Sequence, residues 1–440
     1  MIVKVKIIAV IFSCGFFSLL NAQDLVTTYH LALENDPQLK KAYYKQLSVG
    51  ESKSQSIAQI LPTLSVSGNS SRERIDNSKA NFQSAGIQNY WSHGFTINFS
   101  QPIFHLDHWV QLSQSENQIV QVKAEYQAEL QTLLIKTTEA YFNVLSAQDN
   151  LEFTVSEQKA IERQLKQAKQ RFEVGLIAMT DVYEAQSRYD QAIASQIDAA
   201  NLLDDNKEVV REIIGENEVS LDPIVNEINL LPPTPNNINE WSEIAESNNL
   251  NITAAINQAE VNRKAVLIQQ FGHAPTLDLV ANYGVQDVNS TFGFRGDTQS
   301  IGLQLNIPLF QGGMVHSRAK QANFDYQLAK ENLIAVKRQV KRQLRNAFRG
   351  VISSLNRVKA LKATVASAEI SLEATQVGFE VGTRTMVDVF TEQSNLYRAK
   401  RDYSRSRYDY LINGVKLKQM TSNLTEQDLY LINQYIGHHR

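Results

Sequence analysis

The stretch "EVGTRTMVDVF" at residues 380–390 is nearly repeated as "EVGLIAMTDVY" at residues 173–183, 207 positions earlier. Both copies contain Glu-Val-Gly, a methionine, and an Asp-Val pair before an aromatic residue. Gly175 and Gly382 stand where a helical pattern must stop, because glycine adopts the left-handed helix cap at little steric cost. A new helical pattern starts a few residues later. The two copies therefore predict two turns between antiparallel helices in an internally duplicated chain.

Long segments without proline precede both turns, at about 105–174 and 311–381. Each has small and apolar residues at heptad spacing, and a shift of 207 positions superimposes the two sets. The first set includes Leu133, Ala140, Ala147, Thr154, Ile161 and Ala168, and the second includes Val340, Ala347, Ser354, Leu361 and Ala368. This sustained spacing predicts coiled-coil helices, and about 70 residues at 1.5 Å each make a rod of roughly 105 Å. A generic long-helix scaffold would have the same periodicity.

Four short segments alternate apolar residues with small polar ones, which is the pattern of strands that face lipid on one side and water on the other. In the second segment, Phe95, Ile97 and Phe99 alternate with three polar residues. A half-buried soluble sheet would explain any one of these strands, whereas four of them with polar loops between favour outer-membrane strands. The segments lie at about 63–74, 93–103, 276–286 and 299–309.

Four strands are too few to close a membrane barrel, because the smallest such barrels use about eight. An open sheet edge in lipid would leave its backbone N–H and C=O groups without partners. Strands of this kind in a membrane therefore predict that several copies of the chain share one barrel.

The first 22 residues have the features of a secretory signal peptide. Two lysines precede an apolar run from Ile7 to Leu20, and cleavage is expected after Ala22. The single cysteine, Cys14, lies in this leader, so the mature chain would contain no disulfide. No later segment is apolar over the eighteen or so residues that a membrane helix needs. The formal net charge of −3 gives no indication of nucleic-acid binding.

The duplication predicts four segments after the leader. Each repeat runs helix, strand, strand, long helix, turn and helix, and the last helices are expected over 178–214 and 385–421. Four prolines between the repeats exclude a helix there. The predicted bounds are 23–215 for the first repeat, 216–237 for the linker, 238–422 for the second repeat and 423–440 for the C-terminal tail.

Three stretches resemble the TolC family of outer-membrane efflux proteins: "RFEVGLIAMTDVYEAQSRYD" (171–190), "VGTRTMVDV" (381–389) and "RYDYLINGVKLKQMTSNLTEQDL" (407–429). The resemblance covers essentially the whole mature chain. It implies a mainly α fold with a membrane β-barrel: a homotrimer with twelve strands, four from each chain, continued by a long coiled-coil α-helical barrel. It also implies an equatorial region built from the linker and the C-terminal tail.

The resemblance assigns a gate to the two turns. In proteins of this family, polar links between neighbouring hairpins hold the periplasmic end of the tunnel shut, and a ring of aspartates narrows it. By motif, Asp388 matches the ring aspartate, and Arg384 and Asp181 match members of the linking network. Phe379 replaces a tyrosine and Thr391 a second ring aspartate, which implies gate packing and one carboxylate ring instead of two. An acidic residue in the first turn of a helix also simply favours the helix dipole.

The implied function is the exit duct of a tripartite efflux pump or a type I secretion system, in the outer membrane and extending into the periplasm. The expected partners are two further copies, a periplasmic adaptor, an inner-membrane pump or ABC exporter, and outer-membrane lipid. The adaptor is expected at the hairpin tips: Gly175, Leu176, Gly382 and Thr383. Drugs, other small molecules and secreted protein all remain possible cargo. The alternative is an exported coiled-coil structural or adhesion protein without a pore.

The sequence predicts no enzyme activity, cofactor or metal site, because it has no Gly-rich phosphate loop, nucleophile elbow or His-Glu metal motif. His105-x-x-His108 could place two imidazoles on one helix face. Since no third ligand is recognisable nearby, a pair at a strand-to-helix junction is the favoured interpretation. A basic stretch at 337–345 is interpreted as a solvated or lumen-facing stripe.

Overall fold

A computed structural model describes residues 23–76, 86–215, 219–224, 228–289 and 293–436. The predicted leader lies outside these residues, as do parts of the predicted linker and tail. The first half contains α1 (Leu25–Asn35), α2 (Pro37–Ala58), β1 (Thr63–Asp76), β2 (Ile87–Phe104), α3 (Leu106–Glu173) and α4 (Met179–Ile214). The second contains α5 (Ile238–Asn248), α6 (Leu250–Gln270), a 3-10 turn (Phe271–His273), β3 (Thr276–Val288), β4 (Arg295–Asn306), α7 (Met314–Glu380), α8 (Met386–Met420) and α9 (Glu426–Asn433).

Two helices precede the strands of each half, where the sequence predicted one. The break falls at Asp36 in the first half and at Asn249 in the second, and both residues are buried with extended backbones. The Asp36 carboxylate accepts a hydrogen bond from the Leu39 N–H at 2.8 Å, and the Asn249 side chain accepts from the Ile252 N–H at 3.3 Å. Each side chain thus caps the second helix of its pair, which ends the first.

The four strands form one antiparallel sheet in the order β1-β2-β3-β4. Leu64, Phe99, Ala281 and Ile301 lie directly opposite one another across the four strands, so the apolar residues share one face. The next row, Ser65, Asn98, Asn282 and Ser300, puts small polar residues on the other face. This register is the one that the period-two pattern predicted, because a slip by one residue would mix the two faces.

The strands differ from the predicted bounds mainly at the loop ends. β2 begins at Ile87 and pairs with β1 as far as Asp76, so the first hairpin extends further than expected. β4 begins at Arg295, whose guanidinium forms an ion pair with Asp287 of β3 at 2.9 Å. β4 ends at Asn306 because Pro308, two residues on, has no N–H to donate to a sheet. Among the described residues, no helix has the length and apolar character needed to cross a bilayer.

The two long helices form hairpins with the helices that follow them. α3 packs against α4, α7 packs against α8, and α8 also packs on α3. At 1.5 Å per residue, the 68 residues of α3 span about 102 Å. The predicted heptad positions on α3 are buried, from Leu133 to Ala168. On α7, Val340 and Ser354 are buried, whereas Ala347, Leu361 and Ala368 are half-buried.

The chain start, the segment between the repeats and the chain end meet around one buried tyrosine of α3. The Tyr141 hydroxyl donates hydrogen bonds to the Asp222 carbonyl at 2.8 Å and the Gln23 carbonyl at 3.2 Å. Gln23 pairs with Leu221 in a parallel bridge, and Ile224 pairs with Ile436 in an antiparallel one. Tyr141 therefore joins three distant parts of the chain at the middle of the rod.

We expect Tyr141→Phe to lower the free energy of unfolding by about 0.5–1.5 kcal/mol, because the ring remains while two buried carbonyls lose their donor. Burial raises the pKa of Tyr141 above its ordinary value. The protonated Tyr141 hydroxyl therefore stabilises the fold fully below about pH 10, and this stabilisation is lost as the pH rises through the folded-state pKa. Tyr141→Phe has no hydroxyl to ionise, so its free energy of unfolding should fall less at alkaline pH than that of the natural sequence. Denaturant titration in detergent checks both effects. Tyr430→Phe removes a hydroxyl from a side chain exposed by 47 % and is the control; equal losses in the two variants would contradict the assignment.

Candidate functional site

Both turns of the repeated motif end a long helix with the same backbone arrangement. In the first, the Leu176 N–H donates to the Arg171 carbonyl and the Gly175 N–H to the Phe172 carbonyl, both at 2.9 Å. In the second, Thr383 donates to Gly378 at 2.8 Å and Gly382 to Phe379 at 3.1 Å. These pairs form a Schellman motif, which requires a left-handed residue after the helix. Gly175 and Gly382 supply it, with φ of +75° and +83°.

Asp388 is held by the cap of its own helix. Its Oδ2 accepts hydrogen bonds from the Thr385 N–H and the Thr385 hydroxyl, both at 2.9 Å. The Asp388 N–H lies 3.2 Å from the Thr385 Oγ1, which completes a reciprocal capping box. The Thr385 backbone N–H, its hydroxyl and the charge of Arg384 lower the pKa of Asp388 below its ordinary value. The carboxylate therefore stays charged at a pH where an ordinary aspartate begins to bind a proton.

Asp181 occupies the equivalent place in the other turn but is held less firmly. The residue that precedes the helix here is Ala178, which has no hydroxyl. The Asp181 Oδ2 accepts one hydrogen bond, from the Ala178 N–H at 3.3 Å. The two copies of the motif therefore hold their aspartates differently. Asp388 lies in a complete capping box, whereas the Asp181 carboxylate accepts only the hydrogen bond from the backbone N–H before the helix.

Arg384 lies on the surface of the second turn. A Cβ added at Gly378 would lie 2.7 Å from the Arg384 Cγ, so the absence of a side chain at Gly378 makes room for this arginine. No ion pair joins Arg384 to Asp181 within the described part of the single chain, and the two residues stand at different turns. Any link between them would have to be made between neighbouring chains.

Phe379 and Thr391 have local roles in one chain. Phe379 is half-buried against a hydrophobic cluster that we call the tip cluster. The Arg171 guanidinium lies 5.0 Å from the centre of the Phe379 ring, a cation–π distance. Thr391 is exposed, and its hydroxyl donates to the Val387 carbonyl at 2.8 Å. The tip cluster consists of Ile161, Leu165, Ala168, Val182, Ala185, Ala192, Met386 and Phe390.

Sequence reasoning did not single out Arg171, Gly378 or Thr385. One signal was available, because a shift of 207 positions aligns Arg171 with Gly378 and Ala178 with Thr385. At these aligned positions the side chains of the two copies differ in size and in the hydrogen bonds that they can make. The structure shows that these differences set the contacts of Phe379, Arg384 and Asp388.

The outer ends of both turns expose apolar side chains. Val174, Leu176 and Val381 are 69 %, 73 % and 69 % exposed. Gly382 and Thr383, next to Val381, are exposed as well. Each hairpin therefore ends in a small apolar knob with no covering in the described chain.

A family model described as "Outer membrane efflux protein" matches residues 28–216 and 241–423. These two ranges coincide with the two repeats. The chain belongs to this family. Among its relatives, it is 36 % identical to outer membrane protein TolC of Vibrio cholerae, over 94 % of this chain and 93 % of that protein. It is 34 % identical to TolC of Escherichia coli K12, over 96 % and 87 %, and 28 % identical to the alkaline protease secretion protein AprF of Pseudomonas aeruginosa, over 95 % and 89 %.

Solved structures of channels have the same fold as this efflux-family chain. The Campylobacter jejuni CmeC outer membrane channel superimposes with a TM-score of 0.82 at 13 % identity, over 94 % of this chain and 90 % of that one. VceC of Vibrio cholerae gives 0.77 at 17 % identity, over 90 % and 96 %. The chain is thus an outer-membrane channel protein of the efflux and secretion type, and the predicted family, fold and location are confirmed.

Thr385→Ala should weaken the start of α8 by about 1 kcal/mol, because it removes the N-cap oxygen. Hydrogen exchange at the Asp388 amide should then be about fivefold faster, if exchange there follows local opening. Ala178→Thr is the reciprocal variant and should slow exchange at the Asp181 amide, since it supplies the missing hydroxyl. Thr385→Ser keeps the cap, so exchange as fast in Thr385→Ser as in Thr385→Ala would contradict the capping role.

Proposed function

We propose that three copies of this chain form the exit duct of a tripartite efflux pump or type I secretion system, closed at its periplasmic end by the hairpin tips. The observation that carries the proposal is the open four-stranded sheet with one apolar face, continuous with two hairpins of periplasmic length. Nothing in the duct itself is proposed to be catalytic, so the energy comes from a partner.

The sheet requires other copies because β1 and β4 leave its two edges without strand partners in the described part of the single chain. Leu64 on β1 and Ile301 on β4 are 70 % and 77 % exposed, which suits contact with lipid. In lipid, an unpaired strand edge is too costly to persist. Two copies would give about eight strands, and the interior of such a barrel is filled by its own side chains. A duct therefore needs more than two copies, and three agrees with the family resemblance.

The helices also have faces that another copy would cover. Ile197 and Leu202 on α4 are 57 % and 48 % exposed, and Ile370 and Val377 on α7 are 68 % and 56 % exposed. α3 and α8 pack on each other and lie between α4 and α7. Contact between α4 of one chain and α7 of the next would bury these faces and close the helical barrel.

At the tips, Arg384 of one chain would pair with Asp181 of its neighbour, and we call these ion pairs the latch. Asp388 of each chain would stand in a ring around the entrance. An exposed ion pair contributes about 0.2–1 kcal/mol, so three equivalent links contribute roughly 0.6–3 kcal/mol. A contribution of this size keeps a pore mostly closed and lets a docking partner shift it to the open state. Phe379 and Thr391 would pack beside the latch without adding charge.

A periplasmic adaptor is the proposed ligand of the tips, through Gly175, Leu176, Gly382 and Thr383. The exposed knobs at Val174, Leu176 and Val381 offer apolar surface at the end of the rod, where an adaptor carried by an inner-membrane pump or ABC exporter would meet it. The relative AprF is named for protease secretion and the family for efflux, so the proposed duct suits either protein or small-molecule cargo.

The pore and its latch can be tested together by single-channel conductance of the purified protein in a planar bilayer. We expect a small, cation-preferring conductance for the natural sequence. Arg384→Ala and Asp181→Ala should each increase the open-to-closed ratio by about three- to hundredfold, because loss of three links removes roughly 0.6–3 kcal/mol.

Arg188→Ala is the matched control. Arg188 is exposed on α4 two turns past Asp181, and its ion pair with Glu184 at 3.0 Å stays within one helix. An effect of this control as large as that of Arg384→Ala would move the latch elsewhere. Absence of any conductance, together with solubility without detergent, would instead favour a coiled-coil protein without a pore.

Asp388→Asn should reduce the preference for cations, because it removes one carboxylate per chain and keeps a side-chain oxygen for the cap. The preference of the natural sequence should persist to a lower pH than an ordinary aspartate would allow, since the Thr385 hydrogen bonds and the Arg384 charge lower the pKa of Asp388. The reversal potential in a salt gradient, followed as a function of pH, measures both. A preference unchanged in Asp388→Asn would exclude a selectivity ring at this position.

A further inference from the structure

A second group of polar side chains lies far from the tips, at the junction of β2 and α3. His105, Asp107 and His108 come together there, and each side chain is partly buried. Each residue offers one ligand atom, and these three atoms all lie within 4.8 Å of one another. The sequence suggested only a histidine pair, because Asp107 was not recognised as a third ligand and Asp278 is distant along the chain.

The three side chains are close enough for one small cation to bind between them once they reorient. The His105 Nδ1 lies 4.0 Å from one Asp107 oxygen, and the His108 Nε2 lies 3.8 Å from the other. The two imidazole rings are stacked with centres 4.5 Å apart and planes 15° from parallel. Tetrahedral zinc at about 2.0–2.1 Å from each ligand places neighbouring ligand atoms about 3.4 Å apart. The near-parallel ring planes direct the two imidazole lone pairs side by side, so binding of one ion requires at least one ring to rotate and the three ligand atoms to move closer together.

Asp278 of β3 holds His105 in the orientation that a metal ligand needs. Its Oδ1 lies 3.1 Å from the His105 Nε2. When Nε2 carries the proton and donates it to Asp278, the lone pair of the neutral ring is on Nδ1, which faces Asp107. A carboxylate bonded to the distal nitrogen of a histidine is the usual support of a metal-binding imidazole.

His108 supplies an independent observation. Its Nδ1 is buried and has no hydrogen-bond partner among the described residues. A buried polar atom without a partner is uncommon in folded proteins. A rotation of the His108 ring about χ2 would exchange the positions of Nδ1 and Nε2. Either nitrogen could therefore bind a metal ion with a lone pair that no hydrogen bond to the described residues uses.

We propose that His105, Asp107 and His108 bind a divalent transition-metal ion, with zinc the best fit, and that Asp278 positions His105. Two imidazoles and a carboxylate form a ligand set that zinc commonly takes, with water in the fourth position. The carboxylates of Asp107 and Asp278 balance the two positive charges of the ion. They also offset the unfavourable position of a cation at the start of a helix.

The site is complete in one chain. β2 and β3 are the two inner strands of the sheet, and Asp278 lies opposite Pro102 of β2, three residues before His105. A bound ion would therefore join β2, β3 and the start of α3 at the point where sheet gives way to helix. The proposal depends neither on the latch nor on the number of copies, and its test measures metal binding instead of conductance.

The test uses tag-free protein in detergent, stripped with a chelator, in which His438 and His439 near the chain end are both replaced by Gln. This background removes the adjacent histidine pair as a competing ligand. Zinc is titrated against a chromophoric chelator, and cobalt is followed by its visible absorption as a report of ligand geometry. We expect one ion per chain. His105→Gln and His108→Gln should each weaken binding by at least tenfold, and Asp278→Asn by about 10- to 100-fold.

His316→Gln is the matched control, since His316 is exposed in the first turn of α7 and is not part of the group of His105, Asp107 and His108, so it should leave binding unchanged. Circular dichroism and size in detergent exclude variants that fail to fold, and Asp278→Asn changes no direct ligand. Absence of zinc binding in the background protein would overturn the proposal. Binding that survives His105→Gln and His108→Gln unchanged would overturn it as well, because the ion would then be held elsewhere.

Discussion

The whole architecture depends on the two open edges of a four-stranded sheet. Backbone groups at those edges find no partner in lipid, and β1 and β4 do not pair with each other in the described part of the chain. The edges therefore have to be closed by other copies, and the helices that continue from the strands must then stand in a ring as well. Oligomerisation follows from the hydrogen-bonding needs of the sheet, and the tunnel follows from oligomerisation.

Patterns with a strict period predicted most of this fold from the sequence. The alternation in β1 to β4 fixed which residues share a face, and the heptad spacing from Leu133 to Ala168 predicted the buried stripe of α3. The split of the first helix at Asp36 was missed, because a lone capping residue leaves no period. The contact of Asp278 with His105 was missed for a related reason: it depends on strand register, which local sequence does not reveal.

The candidate gate was predictable only in part. The repeated motif located both turns, and the glycines explain why the long helices end there. The unequal caps of Asp388 and Asp181 depend on one residue, Thr385 in one copy and Ala178 in the other, and the comparison of the two copies was needed to notice it. The proposed links between neighbouring chains depend on how the tips of different copies meet, and neither the turn motif nor the caps of one chain determine that.

The strength of the contacts around the tips indicates how such a gate would move. Within a hairpin, the Schellman turn, the capping box and ion pairs such as Lys400 with Glu369 at 2.9 Å hold the two helices together. Between the two hairpins of one chain, the tip cluster and the contact of Arg171 with Phe379 hold the tips together, and a partly buried pair of Arg401 with Glu157 at 3.0 Å lies further from the tip. The proposed links between chains are exposed and weak. A docking partner would therefore separate the tips of neighbouring chains before it could unwind a hairpin, and the long helices of each chain would carry that movement together as rigid bodies.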